Sequence, residues 1–542
     1  MTFAPPPAAQ PRPQGTAAAM PEESPKQNSA SPPSRFLNLE GGLSAFFARA
    51  DWFTPLIILM LSAWSIAAIY SAKSKHQPLF WEQEFAPRQL LFVLIGWVAY
   101  WMLSLLDPRF IARAAWVFYA AGIALLLPTA ACSLAHAQFF GPLVRPASGA
   151  WRWIYLPGFS VQPAELAKVA TLALVALVAA RGASRSRLAF LERKVVGVLD
   201  WACARRPLRA ISGPLIEWIP TLTRVAWVAA IPFALILVQP DLSTALTYAA
   251  MTFAVLFVAG VPLRFFSTLA AVAALLGGWV VADILHYEHA LDRYERETAA
   301  AVAEDAGTSR AADAAEGIRK SHSGIFPFLR NYQRERIVSL VNPLKIDRHG
   351  GGKSYQSQQA RMAVARGGFS GQGYEKGSLV RDEWVPRGAA HNDFIFSCIA
   401  EESGFIGGTT LMGLFGLLFG LALRTAAGAG DKFGACLATG AATFFATHVI
   451  INVGMNIGLL PVTGLSLPFM SYGGSFILGC FLLFGILQSV HRAGRLAAAA
   501  EDAGADPSPG PVSVAQTAPA ARRRRRHGGT APANLRFSAR AN

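Results

Sequence analysis

The stretch Phe53-Thr-Pro-Leu-Ile-Ile-Leu-Met-Leu-Ser-Ala-Trp-Ser-Ile-Ala-Ala-Ile-Tyr-Ser71 runs for nineteen residues without a charged side chain. A hydrocarbon core of about 30 Å needs about 20 predominantly apolar residues in helical form. The run therefore reads as a membrane-spanning helix. Working outward from it, the same pattern recurs at roughly 89–106, 111–134, 164–181, 225–239, 243–261, 265–285, 394–423, 433–455 and 473–490. The expected fold is an all-α integral membrane protein of about ten transmembrane helices. A large outward loop lies between the seventh and eighth.

Composition excludes the soluble alternative. At ~150 residues per domain, 542 residues would make three or four soluble domains. Yet 53% of the residues are hydrophobic and only 15% charged, against about a quarter charged in soluble domains. The net charge of +16 would suggest nucleic acid in a soluble protein. Here basic segments resting on an anionic leaflet account for it, and no nucleic acid partner is expected. The five cysteines (Cys132, Cys203, Cys398, Cys436 and Cys480) show neither metal-site spacing nor a disulfide framework. No cleavable signal peptide is evident, since residues 1–50 are Pro/Ala/Ser-rich and polar.

Arginine and lysine orient the bundle. The segment 182–224 carries eight basic residues against three acids. Arg109, Arg113, Arg264, Arg424, Lys432 and the run Arg522 to Arg526 fall on the same side for ten crossings. By the positive-inside rule that side is the cytoplasm, and both termini lie there. Three regions follow. A disordered cytoplasmic tail covers 1–50, the membrane domain 51–493, and a disordered basic cytoplasmic tail 494–542. Within the membrane domain, 182–224 is a cytoplasmic loop and 286–393 an extracytoplasmic one. The latter is split by charge: 286–317 holds eight acids against three bases, and 318–393 thirteen bases against six acids. The acidic half reads as a soluble helix or a disordered insert. The basic half reads as a solvated loop or as a binder of an anionic ligand.

Ionisable groups at membrane depth are costly and are functional candidates for that reason. Glu165 and Lys168, three apart, share one helical face and can pair, either to pin the helix or to wall a polar cavity. Asp241 follows Gln239-Pro240 and precedes Ser243 and Thr244, so it is a cap or a site residue. Arg88-Gln89 opens the second run, where a snorkelling arginine is the plain alternative. Asp393, in His391-Asn-Asp-Phe-Ile-Phe396, stands where the basic loop meets the membrane. It is either a helix cap or a proton acceptor, and Glu401 and Glu402 follow about two turns deeper. The segment Gly458-Leu-Leu-Pro-Val-Thr-Gly-Leu-Ser-Leu-Pro-Phe-Met-Ser-Tyr-Gly-Gly474 breaks the helical pattern. Such backbone is tolerated at depth only against protein or a polar cavity.

These pieces, in this order over about residues 53–493, resemble the SEDS family (shape, elongation, division and sporulation). The motifs are Arg88-Gln89, Arg152-Trp153-Ile154, Gln162-Pro163-Ala164-Glu165 with Lys168, and Gln239-Pro240-Asp241-Leu242. They continue with Tyr332-Gln333 and Arg336-Ile337, the glycines 367, 368, 371 and 373, His391 to Phe396, Glu401-Glu402, and Gly458 to Gly474. Departures from the family pattern are Ala164, Ser243, Asn392, the stretches Val364 to Gly368 and Val385 to Ala390, and long inserts at 182–224 and 286–320. Within the family the resemblance leans to the RodA-like branch over the FtsW-like.

The resemblance implies an inverting peptidoglycan glycosyltransferase of the cytoplasmic membrane. It would polymerise lipid II beside a class B penicillin-binding transpeptidase and other elongation or division proteins, among membrane lipids. Asp393 would be the catalytic base. Arg88, Arg152, Glu165, Lys168, Asp241, Arg361 and Arg366 would line the lipid II cavity and meet the pyrophosphate. The sequence requires no cofactor, although a divalent cation would suit a pyrophosphate, and no resident metal site is expected. Two other functions fit the same composition: a transporter that flips the lipid, and a catalytically silent scaffold.

Overall fold

The computed structural model describes residues 47–72, 83–147, 150–157, 159–182, 218–239, 241–304, 334, 337–338, 353–377 and 391–502. Residues 1–46 and 503–542 of the tails, most of 182–224, Tyr332-Gln333 with Arg336, and Val385 to Ala390 lie outside them; residues 494–502, expected to open a disordered tail, instead continue the last helix.

Among the described residues, ten helices are long and apolar enough to cross a membrane. They are α1 (Phe53–Ser71), α2 (Phe85–Leu105), α3 (Pro108–Ala135), α4 (Pro163–Arg181), α5 (Ile219–Val238), α6 (Leu242–Ala259), α7 (Leu263–Glu304), α9 (Ile395–Ala427), α10 (Lys432–Asn456) and α11 (Gly474–Asp502). A shorter helix, α8 (Lys353–Gly367), precedes α9. Between α3 and α4 lies an antiparallel sheet in the order β1 (Val144–Ala147), β2 (Ala150–Leu156), β3 (Phe159–Val161).

Local chemistry sets the boundaries. Asp107 caps α3, accepting from Arg109 N at 2.7 Å with Pro108 at the first position. Asp431 caps α10 through Gly434 N at 3.0 Å. Pro163 opens α4, where its missing N–H costs nothing. The fifth helix begins six residues before the expected 225, because Ile219 to Arg224 continues the helix past its apolar limit.

Helices α4, α10 and α11 form the buried heart of the bundle, with Leu172, Leu174, Leu437, Ala438, Ile477 and Phe481 at no more than 1% exposure. By contrast α7 is largely bare. Leu275, Trp279 and Leu285 are exposed, and of its described side chains only Asp283 and Tyr287 are buried. It also continues well past 285, so the first part of the acidic 286–317 stretch extends the helix. Asp283 is held by Arg334, Nε to Oδ2 at 2.7 Å, in a pair exposed by 0% and 3%.

One break interrupts α9. Gly404 takes φ 65° and ψ −160°, leaving helical space. The helix repairs the break with the segment after α8. Phe405 N donates to Gly368 O at 2.9 Å and Ile406 N to Phe369 O at 3.1 Å. On the other side, Gln372 N donates to Glu401 O at 3.0 Å and Gly373 N to Glu402 O at 2.9 Å. Backbone meets backbone so closely that a Cβ on Gly367 would strike the Ala400 carbonyl, and one on Gly371 the Glu402 carbonyl. That contact is the physical reason for the glycines.

Candidate functional site

Asp393 sits in a turn just ahead of α9. The cap position of α9 is Phe394, so Asp393 stands one residue ahead of it. Its Oδ2 lies 3.5 Å from the point where a Cβ on Gly464 would stand. The carboxylate therefore faces the irregular segment between α10 and α11. Gly464 has φ +79°, the left-handed region that glycine enters freely.

The segment is fastened from several sides. Tyr472 N donates to His391 O at 2.9 Å, and Ser471 Oγ to Asn392 O at 2.6 Å. Ser65 Oγ of α1 donates to Met470 O at 2.7 Å, and Gln89 of α2 donates to Ser65 Oγ and Ser471 O. Ser243 Oγ, at the start of α6, reaches Thr463 O at 2.9 Å. Arg361 of α8 packs over Gly458. Its Nε is without a hydrogen-bond partner among the described residues.

Beside this segment opens a cavity of about 360 Å³. Arg88 and Phe92 of α2 form one wall, Trp153, Tyr155, Leu156, Phe159 and Ser160 of the sheet another. Asn392 and the turn Tyr472–Gly474 complete it, so the cavity adjoins Asp393 through its sequence neighbour. Arg88 is half exposed, 2.6 Å from Glu84. Burial raises the Tyr472 hydroxyl above its ordinary range despite the opposing pull of Arg88, so it stays a neutral donor.

Strand alternation separates Arg152 from its neighbours Trp153 and Tyr155. Arg152 turns away from the cavity to donate to Gln239 O at 3.1 Å, and its guanidinium lies 3.8 Å from Asp241. Asp241 serves twice, because it also caps α6 through Thr244 N at 3.1 Å.

Glu165 and Lys168 do pair, with the ammonium 2.9 Å from both carboxylate oxygens. The expectation that they wall a polar cavity is corrected, since they are exposed by only 6% and 1%. Phe444 and Phe476 seal the ammonium, 4.9 and 5.9 Å from it. The Lys168 ammonium also stands 3.3 Å from His448 Nε2, while His448 Nδ1 is 3.0 Å from Ser466 O. A carbonyl only accepts, which assigns the proton to Nδ1 and leaves Nε2 as acceptor for Lys168. The pair thus acts on the irregular segment from behind, through His448.

Arg366 is likewise corrected. It is exposed at the end of α8, five residues from Arg361 and so about 140° around the helix. The two arginines do not converge. Glu401 is fully buried, and Glu402 accepts from Ser71 Oγ and from Glu375 N, so both acids belong to the repaired break in α9.

Sequence reasoning missed His448, Asn452, Asn456 and Asp283. The first three stand four apart on α10 and are all buried. Polar side chains repeating at that spacing in an apolar run are a visible signal, although none carries a formal charge. Asp283 is a lone acid inside the seventh run.

Spanning helices that gather a carboxylate, cations and an irregular glycine-rich segment at one end define a membrane protein with a polar site at its surface. The family model for FtsW, RodA and SpoVE, described as "Cell cycle protein", matches residues 51–301 and 315–496. A probable peptidoglycan glycosyltransferase FtsW of Trichlorobacter lovleyi is 30% identical over 457 residues, 83% of this chain and 95% of the relative. The peptidoglycan glycosyltransferase RodA of Treponema pallidum is 26% identical over 472 residues, 81% and 97% of the two chains. A chain of a solved peptidoglycan synthase complex, titled for its coordination of polymerization and crosslinking, superposes with a TM-score of 0.54 at 25% identity. That match covers 82% of this chain and 98% of the other. The chain belongs to the FtsW/RodA/SpoVE family, the SEDS family of multi-pass membrane proteins.

Proposed function

We propose that this chain is a peptidoglycan glycosyltransferase that polymerises lipid II at the outer face of the cytoplasmic membrane. The observation that carries the reading is the place of Asp393, one residue ahead of the α9 cap position and turned toward the Gly458–Gly474 segment beside the Arg88 cavity. The 4-hydroxyl of the acceptor GlcNAc is a weak nucleophile until its proton is taken. Asp393 accepts that proton as the oxygen attacks the anomeric carbon of MurNAc. The bond from that carbon to the pyrophosphate breaks with inversion, and an α-linked donor gives a β(1→4) product.

Charge gathering on the departing pyrophosphate calls for fixed cations in a poorly hydrated place. Arg361, with its Nε unpartnered among the described residues, and Arg88 are the groups offered for it. Arg152 is already turned to Gln239 and Asp241 and is assigned the shaping of that wall. A divalent ion accompanying the pyrophosphate would belong to the substrate. The aromatic wall of Trp153 and Tyr155 suits the face of a sugar ring.

Both termini are placed in the cytoplasm, and the growing strand passes to a class B penicillin-binding transpeptidase. The similarity to a chain of a synthase complex supports such a partner. Relatives named FtsW and RodA each align over about four-fifths of the chain, at 30% identity for an FtsW and 26% for a RodA. The shared reaction, in elongation or division, is therefore what is proposed. Glycan-strand synthesis from purified lipid II, with the full chain and its transpeptidase, tests the reading. Strands made by the wild type and lost in Asp393→Asn support it. Lipid movement without strands would mean a transporter, and neither activity a scaffold.

A further inference from the structure

His448, Asn452 and Asn456 form one stripe along α10, and two of them converge on the backbone of Asp393. Asn452 Nδ2 donates to Asp393 O at 3.0 Å and to Leu465 O at 2.7 Å. One carboxamide thus spends both its protons on two separate chain segments. Those segments are the turn that carries Asp393 and the residue next to Gly464, which the Asp393 carboxylate faces.

Asn456 works on the same carbonyl from one helical turn away. Its Nδ2 donates to Asp393 O at 3.1 Å and to Asn452 O at 2.8 Å. Its Oδ1 accepts from Ser397 Oγ at 2.6 Å and from Ser397 N at 3.3 Å. Asp393 C=O and Ser397 N–H are the groups that an α-helix would pair directly, four residues apart. The carboxamide of Asn456 bridges them instead, and Asp393 stays in the turn ahead of α9.

We propose that Asn452 and Asn456 are positioning residues that hold Asp393 opposite Gly464, an inference that rests on the reading of Asp393 as the base. Both carboxamides are fully buried and their donors are used. A buried amide is stabilising only when satisfied, so this pair has one arrangement that suits it. A general base displaced by about 1 Å can lose ~10²-fold in rate. The two amides fix the position from which the carboxylate is aimed, without touching substrate.

The test uses the full chain with its transpeptidase and purified lipid II. Asn456→Ala leaves Asp393 O one donor and should lower kcat by ~10-fold. Asn452→Ala unties both segments and should lower it by ~10²-fold, with KM for lipid II within about twofold in each case. In an Asp393→Asn background neither substitution should lower the residual rate further, because residues that act as one unit do not have multiplying losses. Transpeptidase binding should be retained. Should Asn452→Ala fail to fold, Asn456→Ala carries the same cycle. Wild-type kcat in the variants, or losses that multiply with that of Asp393→Asn, would overturn the positioning role. Near-wild-type synthesis by Asp393→Asn alone overturns instead the base assignment beneath it, and is read on that single variant.

Discussion

The ammonium of Lys168 and Nε2 of His448 stand 3.3 Å apart in the buried face between α4 and α10. Through that contact a charge pair in one helix is joined to the carbonyl of Ser466 in the irregular segment. A glutamine can do what His448 does, offering a carbonyl to Lys168 and an N–H to Ser466. His448→Gln should therefore keep most of the synthesis rate. His448→Leu, which leaves a buried ammonium and a buried carbonyl short of partners, should lose at least tenfold and melt lower. Strand synthesis and thermal unfolding in lipid nanodiscs measure both.

The Glu165–Lys168 pair should be costly to halve. Removing one partner of a buried pair leaves an uncompensated charge, at about 3–5 kcal/mol. Glu165→Ala and Lys168→Ala are each expected to lower stability and activity strongly. The double variant should cost less than the sum of the two. Strictly additive losses would show that the residues act apart.

Asp393→Asn is expected to insert, fold and bind its transpeptidase while losing ~10²–10⁴-fold in rate, the range for a proton transfer. Asp393→Glu should recover little, because the added methylene moves the carboxylate by about an ångström. Glycan-strand length and rate from lipid II are the readout.

Asp241 divides into two functions. Asp241→Asn keeps the cap of α6 and loses the ion pair with Arg152, whose guanidinium is one-third exposed. It should therefore shift stability little. Asp241→Ala loses the cap as well, at about 1 kcal/mol. Unfolding of the two variants side by side separates the contributions.

Orientation is checked by labelling. The four described cysteines are buried, so a variant with Cys203 replaced gives a quiet background. A cysteine at the exposed Gln138 should react with an impermeant maleimide in intact cells, and one at Ser267 only after permeabilisation. The reverse pattern would invert the proposed topology.

The ten helices were legible because a bilayer imposes length and apolarity on each run independently of its neighbours. Ionisable residues marked most of the site for the same reason. What escaped was, apart from Asp283, polar without being charged. His448, Asn452 and Asn456 acquire meaning only once the Gly458–Gly474 segment folds back over α10. The sheet at 144–161 was equally hidden: its outer strands have only four and three residues, and Pro146 interrupts the first. The choice between a pinning pair and a cavity wall at Glu165 and Lys168 was not legible, because it depends on Phe444 and Phe476 arriving from two other helices.

The break at Gly404 bears on how the protein enters the membrane. A helix interrupted two and a half turns in would present bare amides and carbonyls to lipid, each at a cost of several kcal/mol. The groups that satisfy them lie in residues 368–373, which leave the ribosome before α9 is made. The glycine-rich stretch and the first half of α9 should thus partition from the translocon as one re-entrant unit. A chain truncated of that stretch would be expected to stall in biogenesis before any question of catalysis arises.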